Sequence, residues 1–136
     1  EMGKVTEEME SELSLTWTLT KRLAAILRTQ VETLEPLQLI RYKGGANQHY
    51  HKHHDHGAWY GATTEQRPET LLIWLSSVPA SDGGGHTAFP SLNISVLPRA
   101  GDGLYWTNVD DFGQPNIDAI HEASAPLDSS TVKYAL

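Results

Sequence analysis

The chain has 136 residues and a mass of 15.0 kDa, enough for one compact domain with a hydrophobic core and too little for two. Its net charge of −7 argues against a duplex-binding surface, which would need clustered lysine and arginine. Because the chain has no cysteine, disulfides, thiolate nucleophiles and cysteine-based zinc sites are excluded, and any metal must be bound by histidine, aspartate or glutamate.

The predicted elements begin with one helix. An acidic lead-in over residues 1–12 precedes an amphipathic pattern at about residues 15–29, in which leucine and isoleucine recur at helical spacing. Short apolar or alternating runs then predict strands, and turn residues separate them. These runs are 37–42, 70–78, 93–98, 103–109 and 131–136. Since no second helix of comparable strength follows, we expect a mainly β fold with an N-terminal helix, such as a jelly roll.

The segment HYHKHHDHG, residues 49–57, concentrates five histidines and one aspartate. A solvated histidine-rich surface strip is one interpretation. The segment follows a predicted strand and a glycine-rich turn, where a chain can present side chains toward the mouth of a barrel. In an extended chain alternate side chains share a face, so His53 and Asp55 point together while His54 points away. This His-x-Asp pair offers one imidazole and one carboxylate to a single ion.

A third metal ligand would have to come from another strand. His121 is the only histidine after residue 86, and it lies in an alternating segment. Two histidines and one carboxylate with open positions opposite are typical of non-haem Fe(II) oxygenases. A core or surface histidine is the alternative for His121. Lys133, within an apolar strand, would need an anion to offset its desolvation if it points inward, and otherwise is a solvated charge.

The chain resembles the catalytic domain of the prolyl 4-hydroxylases, in the Fe(II)/2-oxoglutarate dioxygenase superfamily. The matching stretches cover about residues 35–136 in the family's order. They are EPLQLIRY, YHKHHD, RPETLLIWLSSV, GGHTAFP, LPRAGDGLYWTN and HEASAPLDSSTVKYAL. The resemblance implies a double-stranded β-helix, or jelly roll, with catalytic iron bound by His53, Asp55 and His121. It also implies one dioxygenase domain over 1–136, with 1–30 as a helical lead-in and 35–136 as the core.

The resemblance further assigns the cosubstrate and substrate residues. Lys133 would bind the distal carboxylate of 2-oxoglutarate, with Tyr42 and Thr87 as hydrogen-bonding neighbours, and Tyr50 and Arg67 would face a proline-containing peptide. Taken alone, the two tyrosines could be ordinary strand residues, Thr87 a β-former and Arg67 a surface charge.

The implied reaction is hydroxylation of peptidyl proline at C4. It uses Fe(II), 2-oxoglutarate, O₂ and ascorbate, and releases succinate and CO₂. Another substrate, such as a free amino acid, is an alternative. A cupin-like metal-binding jelly roll is a second one, because Gly45 is followed after five residues by His51-x-His53. However, no glutamate follows His53 at the spacing that a cupin needs. A non-catalytic peptide-binding module is a third.

No apolar run approaches the roughly 18 residues of a membrane span. We therefore expect a soluble protein, in the cytoplasm or in the lumen of the endoplasmic reticulum with its targeting segment absent from this chain. The expected partner is a proline-containing peptide or protein, and nucleic acid is not expected. Oligomeric state and peptide preference are left open by the sequence.

Overall fold

A computed structural model describes residues 6–61 and 66–136 of the chain. The chain divides into two compact units, Glu1–Gln38 and Leu39–Leu136. Among the described residues, no helix is both long and apolar enough to cross a lipid bilayer.

The first unit contains the helix α1, Glu7–Leu27, which begins about two turns earlier than predicted. Its N-cap is Thr6, whose hydroxyl accepts a hydrogen bond from the backbone N–H of Met9 at 3.2 Å. Acidic residues fill the first turn, where carboxylates are favoured by the helix dipole. The described part of the predicted acidic lead-in is therefore helical, because its charges stabilise the helix start. Glu1, at the beginning of that lead-in, lies outside the described residues.

The second unit is built from eight short strands, and every pairing between them is antiparallel. The strands are β1 Ile40–Lys43, β2 His49–His53, β3 Glu69–Ile73, β4 Thr87–Phe89, β5 Ile94–Val96, β6 Gly103–Thr107, β7 His121–Ser124 and β8 Val132–Ala135. Each of the five predicted runs overlaps one strand. The other three strands, β2, β4 and β7, are short or polar and so lack a clear apolar alternation.

Two four-stranded arrays result from the pairing. One sheet has the order β2-β7-β4-β5. The pairs β1-β8 and β3-β6 join into a second array, because Leu136 N–H donates to Ile73 at 2.8 Å and Leu75 N–H donates to Tyr134 at 2.9 Å. Aromatic side chains of the two arrays contact each other: the ring of Trp106 on β6 lies 5.3 Å from that of Phe89 on β4.

Candidate metal centre

Three side chains predicted to bind metal meet where β2 ends and β7 begins. His53 is the last residue of β2 and lies opposite His121, the first residue of β7. Asp55 Oδ1 is 3.4 Å from His53 Nε2 and 3.8 Å from His121 Nε2. In the part of the chain that the structure describes, these three form the one group of at least three such residues whose ligand atoms all lie within 4.8 Å of one another. One ion could therefore contact all three.

Backbone carbonyls determine which ring nitrogen of His53 and of His121 carries the proton. His53 Nδ1 lies 2.7 Å from the carbonyl oxygen of His51, and His121 Nδ1 lies 3.0 Å from that of Ala119. A carbonyl can only accept a hydrogen bond, so each Nδ1 carries the proton and each Nε2 presents its lone pair toward Asp55. Burial also lowers the pKa of His121, which favours the neutral ring that a metal ligand needs.

A network of hydrogen bonds holds Oδ2, the second carboxylate oxygen of Asp55. Thr70 on β3 donates to Asp55 Oδ2 at 2.7 Å and accepts from Asn108 Nδ2 at 2.8 Å. The side-chain oxygen of Asn108 accepts in turn from the indole N–H of Trp106 at 2.9 Å. Asn108 is fully buried, so this network fixes the direction of the carboxylate from behind. Sequence reasoning missed this network, because Thr70 on β3 is far along the chain from Trp106 and Asn108 at the end of β6.

The environment keeps Asp55 ionised. Burial by itself raises the pKa of this carboxyl group, but the interactions with His53, Thr70 and His121 in the metal-free chain more than offset it. The two histidines contribute to this lowering when their Nε2 atoms are protonated, and a metal bound there would replace those protons. The net pKa lies below the ordinary aspartate value. An ionised carboxylate beside two neutral imidazoles is a ligand set that suits Fe(II), so the residues present fit the metal predicted from the sequence.

Lys133 is buried without a carboxylate partner among the described residues. It is 1% exposed, and its Nζ lies 3.5 Å from the carbonyl oxygen of Ser124 and 5.0 Å from the ring centre of Tyr42. Tyr42 lies directly opposite Lys133 in the β1-β8 pair. Burial lowers the pKa of Lys133 to about 8. The ammonium is thus costly where it lies, and an anion bound beside it would offset that cost.

Two further buried donors are Thr87 on β4 and Trp74, which directly follows β3. Thr87 Oγ1 and Trp74 Nε1 have no hydrogen-bond partner within the described ranges. Thr87 lies opposite Ala123 on β7. Trp74 lies opposite Ala135, which shares a face of β8 with Lys133. Unsatisfied buried donors are rare in native proteins, and they fit an acceptor-rich ligand. Sequence reasoning named Thr87 but missed Trp74, which in an apolar run is typical of a core residue.

The two predicted substrate residues differ in their surroundings. Tyr50 is 56% exposed, and its ring lies almost perpendicular to that of His53, with 3.9 Å between ring centres. Burial, and then the charge of Tyr50, raise the pKa of Tyr42, so the two tyrosines are near each other. Arg67 is exposed and precedes β3, which begins at Glu69; its carbonyl oxygen accepts from Asn108 Nδ2 at 3.1 Å.

Two of the remaining histidines, His54 and His56, are buried outside the three-residue cluster. His54 Nε2 donates to the carbonyl oxygen of Asn116 at 2.9 Å, and His54 Nδ1 accepts from the backbone N–H of His56 at 3.0 Å. The ring of Trp59 stacks on His54 with 4.9 Å between ring centres and planes 6° apart. Both His54 and His56 are buried. As predicted from the alternation, His54 points away from the His53 and Asp55 pair.

Known proteins resemble this chain in family profile, in sequence and in fold. The profile of the 2OG-Fe(II) oxygenase superfamily matches residues 37–136. Prolyl 4-hydroxylase subunit alpha-1 of Caenorhabditis elegans is 33% identical over 116 residues, which are 81% of this chain and 20% of that protein. Subunit alpha-3 of Rattus norvegicus is 37% identical over 117 residues, with the same coverage. Prolyl 4-hydroxylase 13 of Arabidopsis thaliana is 30% identical over 135 residues, covering 87% of this chain and 47% of that protein.

The chain thus spans about a fifth of the length of these animal relatives and about half of the plant one. A solved structure of the viral collagen prolyl hydroxylase from Paramecium Bursaria Chlorella virus-1, in truncated form, superposes with a TM-score of 0.70 at 23% identity. The match covers 88% of this chain and 64% of that one. The 2OG complex of the same viral protein gives a TM-score of 0.65 at 19% identity, covering 90% and 69%. At these identities the likeness concerns the fold.

Proposed function

This chain belongs to the 2OG-Fe(II) oxygenase superfamily, and on that premise we propose that it hydroxylates peptidyl proline at C4. The coupled reaction is the oxidative decarboxylation of 2-oxoglutarate to succinate and CO₂, with O₂ as oxidant and ascorbate as the reductant that maintains the iron. The observation that carries the proposal is the convergence of His53, Asp55 and His121 with both Nε2 lone pairs facing one carboxylate oxygen. The resemblance of relatives named prolyl 4-hydroxylase supports the choice of proline.

The proposed metal ligands are His53, Asp55 and His121. Fe(II) bound there supplies the oxygen chemistry, both the decarboxylation of the cosubstrate and the insertion of one oxygen atom into a C–H bond. Three protein ligands leave positions free for cosubstrate and O₂. Thr70 holds Asp55 ionised and oriented, and the ring of Trp106, 4.8 Å from that of His121, keeps one side of the centre apolar.

The proposed cosubstrate pocket is the buried region around Lys133. A dicarboxylate that reaches it would place its distal carboxylate beside the ammonium, and Thr87 and Trp74 would donate to the same carboxylate. The argument is one of complementarity, since two unsatisfied donors and one buried cation match an anion with several lone pairs. Tyr42, under the ammonium, would line the pocket wall.

For the architecture of the second unit we propose a double-stranded β-helix. Its support is the pair of four-stranded antiparallel arrays whose aromatic residues pack against each other. In such a jelly roll the metal ligands and the buried lysine project into one interior. We assign the catalytic unit to about residues 35–136, with the helix as a lead-in.

The experiment that tests the proposed function follows both products. The chain is incubated with Fe(II), ascorbate and 2-oxoglutarate, with and without proline-rich peptides. We expect succinate to form and the peptide mass to rise by about 16 Da, the mass of one oxygen atom, with both depending on all three additions. Succinate without any modified peptide would contradict the prolyl substrate. The absence of succinate under every condition would contradict the oxygenase itself.

The substrate residues are tested by separating two activities. Tyr50→Phe and Arg67→Ala should weaken peptide-dependent turnover while the slow uncoupled decarboxylation of 2-oxoglutarate persists, because these residues would orient the peptide and not the cosubstrate. Tyr105→Phe, at a half-exposed tyrosine on β6, is the matched control and should leave both activities unchanged. If both activities fell together, or if free proline served as well as any peptide, the peptidyl-proline assignment would be wrong.

A further inference from the structure

Two histidines of the histidine-rich segment, His49 and His51, belong neither to the proposed metal centre nor to the buried pair His54 and His56. His49 and His51 lie on β2 and are exposed, and their ring centres are 5.0 Å apart. Across the sheet, His49 Nε2 lies 3.4 Å from Glu122 Oε2 on β7. We propose that His49, His51 and Glu122 form a second cation site, on the protein surface, for a borderline divalent ion such as Zn²⁺.

The His49 and Glu122 pair already has the spacing that zinc requires. With bonds of about 2.0–2.1 Å to nitrogen and oxygen at a tetrahedral angle, two ligand atoms lie about 3.4 Å apart. An ion could therefore bind between these atoms without movement of the backbone. Each of the two side chains is about one-third exposed, so part of their hydration is already lost. As a plain ion pair at the surface the contact would contribute little, and it would need a protonated histidine.

His51 supplies the third ligand after a side-chain rotation. Two imidazoles on one tetrahedral zinc have ring centres about 5.2 Å apart, close to the separation seen for His49 and His51. The ligand atoms of His49, His51 and Glu122 do not all lie within 4.8 Å of one another in this structure. Among the described residues, only those of the proposed iron ligands do. His51 is exposed, and exposed side chains change rotamer within nanoseconds. A cleft lined by Asn47, His49 and His51 leaves room for the ion and its remaining water.

This site is distinct from the metal centre because of the strand geometry. Successive side chains of a strand point to opposite faces, so Glu122 and Ser124 lie on the face of β7 opposite to that of the buried His121. His49 lies opposite Ser124 and therefore shares the face of Glu122, and an irregular register between Tyr50 and His53 turns His53 to the other face. A Zn²⁺ ion at Glu122 would thus lie on the outer face of the sheet. It would tie β2 to β7, the two strands that also present His53 and His121 on the inner face.

The test counts Zn²⁺ equivalents by calorimetry on the purified chain. We expect two equivalents for the unmodified protein, one for His49→Ala, one for His121→Ala and none for the double variant. Glu122→Gln should weaken the second equivalent, since it replaces the charged ligand and preserves side-chain size. Lys52→Ala, an exposed position on the same strand, is the matched control and should still bind two.

Two results would overturn the second site: a single equivalent for the unmodified protein that His121→Ala abolishes, or two equivalents for His49→Ala. Failure of the proposed iron centre is distinguishable, because His121→Ala would then bind as many equivalents as the unmodified protein. Turnover with Fe(II) and 2-oxoglutarate should be the same for His49→Ala as for the unmodified protein. A loss of turnover in that variant would place His49 in the catalytic centre and contradict a separate surface site.

Discussion

Replacing Lys133 by methionine should make the cosubstrate-free protein more stable. The pKa of Lys133 falls from 10.5 to about 8 because of burial, a decrease of roughly 2.5, which corresponds to about 3 kcal/mol against folding when the lysine is charged. The interactions of the ammonium with the Ser124 carbonyl and the Tyr42 ring each stabilise the folded state by about 1 kcal/mol. Methionine has a similar length and no charge. We therefore expect Lys133→Met to raise the free energy of unfolding by about 1–3 kcal/mol at pH 7.

The stability difference between Lys133→Met and the unmodified protein should disappear at high pH. The direction of this change follows from the protonation of Lys133 in the folded and unfolded states. Below pH 8 the lysine is protonated in both the folded and the unfolded chain, and the folded chain bears the full cost. Between about pH 8 and 10.5 the unfolded chain binds more protons, so the stability contributed by this group rises with pH. The difference between the variant and the unmodified protein should therefore narrow across that interval.

Urea unfolding followed by tryptophan fluorescence at several pH values would measure this difference. Lys43→Met is the matched control, because Lys43 is exposed on β1 and its replacement should change stability by less than about 0.5 kcal/mol. The same Lys133→Met protein should lose 2-oxoglutarate binding. A variant less stable than the unmodified protein at pH 7, or a difference that stays constant up to pH 10.5, would refute the reasoning.

Three other predictions concern the metal centre and its surroundings. Asp55→Ala should abolish succinate formation, because two imidazoles alone hold Fe(II) poorly; appreciable turnover in this variant would contradict the ligand assignment. Thr70→Val should weaken metal affinity about 10–100-fold in a metal titration, since the carboxylate loses the donor that orients it, while Thr70→Ser should retain most of the affinity. Trp74→Phe should raise the KM for 2-oxoglutarate with little change in kcat. In ¹⁵N-detected spectra of the unmodified protein, the indole N–H signal of Trp74 should shift when 2-oxoglutarate binds. An unmoved signal at saturation would exclude a contact between Trp74 and the cosubstrate.

The sequence predicted what depends on local pattern. The alternation of side chains in an extended chain predicts that His53 and Asp55 point the same way, and the structure brings them together with His121. For Lys133 the residue pattern left an inward and a solvated direction open, and the structure shows the residue buried. The helix start was missed, because an acidic run looks solvated unless the capping role of Thr6 is recognised.

The rest could not be predicted, because it depends on which strands become neighbours. Thr70, Asn108 and Trp106 are ordinary strand and loop residues until the pairing of β3 with β6 makes them one hydrogen-bonded chain. The role of Trp74 depends on a single bridge to Ala135. Polar β2 also lacks the apolar alternation by which a strand is recognised.

The pairing of β1 with β8 joins the first strand of the unit to the last one. Tyr42 and Lys133 therefore meet only through a contact of very long sequence separation, as do His53 and His121 in the β2-β7 pair. Such contacts have high contact order, and their loop-closure entropy makes them slow to form. The proposed cosubstrate pocket and the proposed metal centre should consequently form together, late in folding. A chain that has acquired iron affinity has then already closed its sheets, so metal loading can serve as a measure of completed folding.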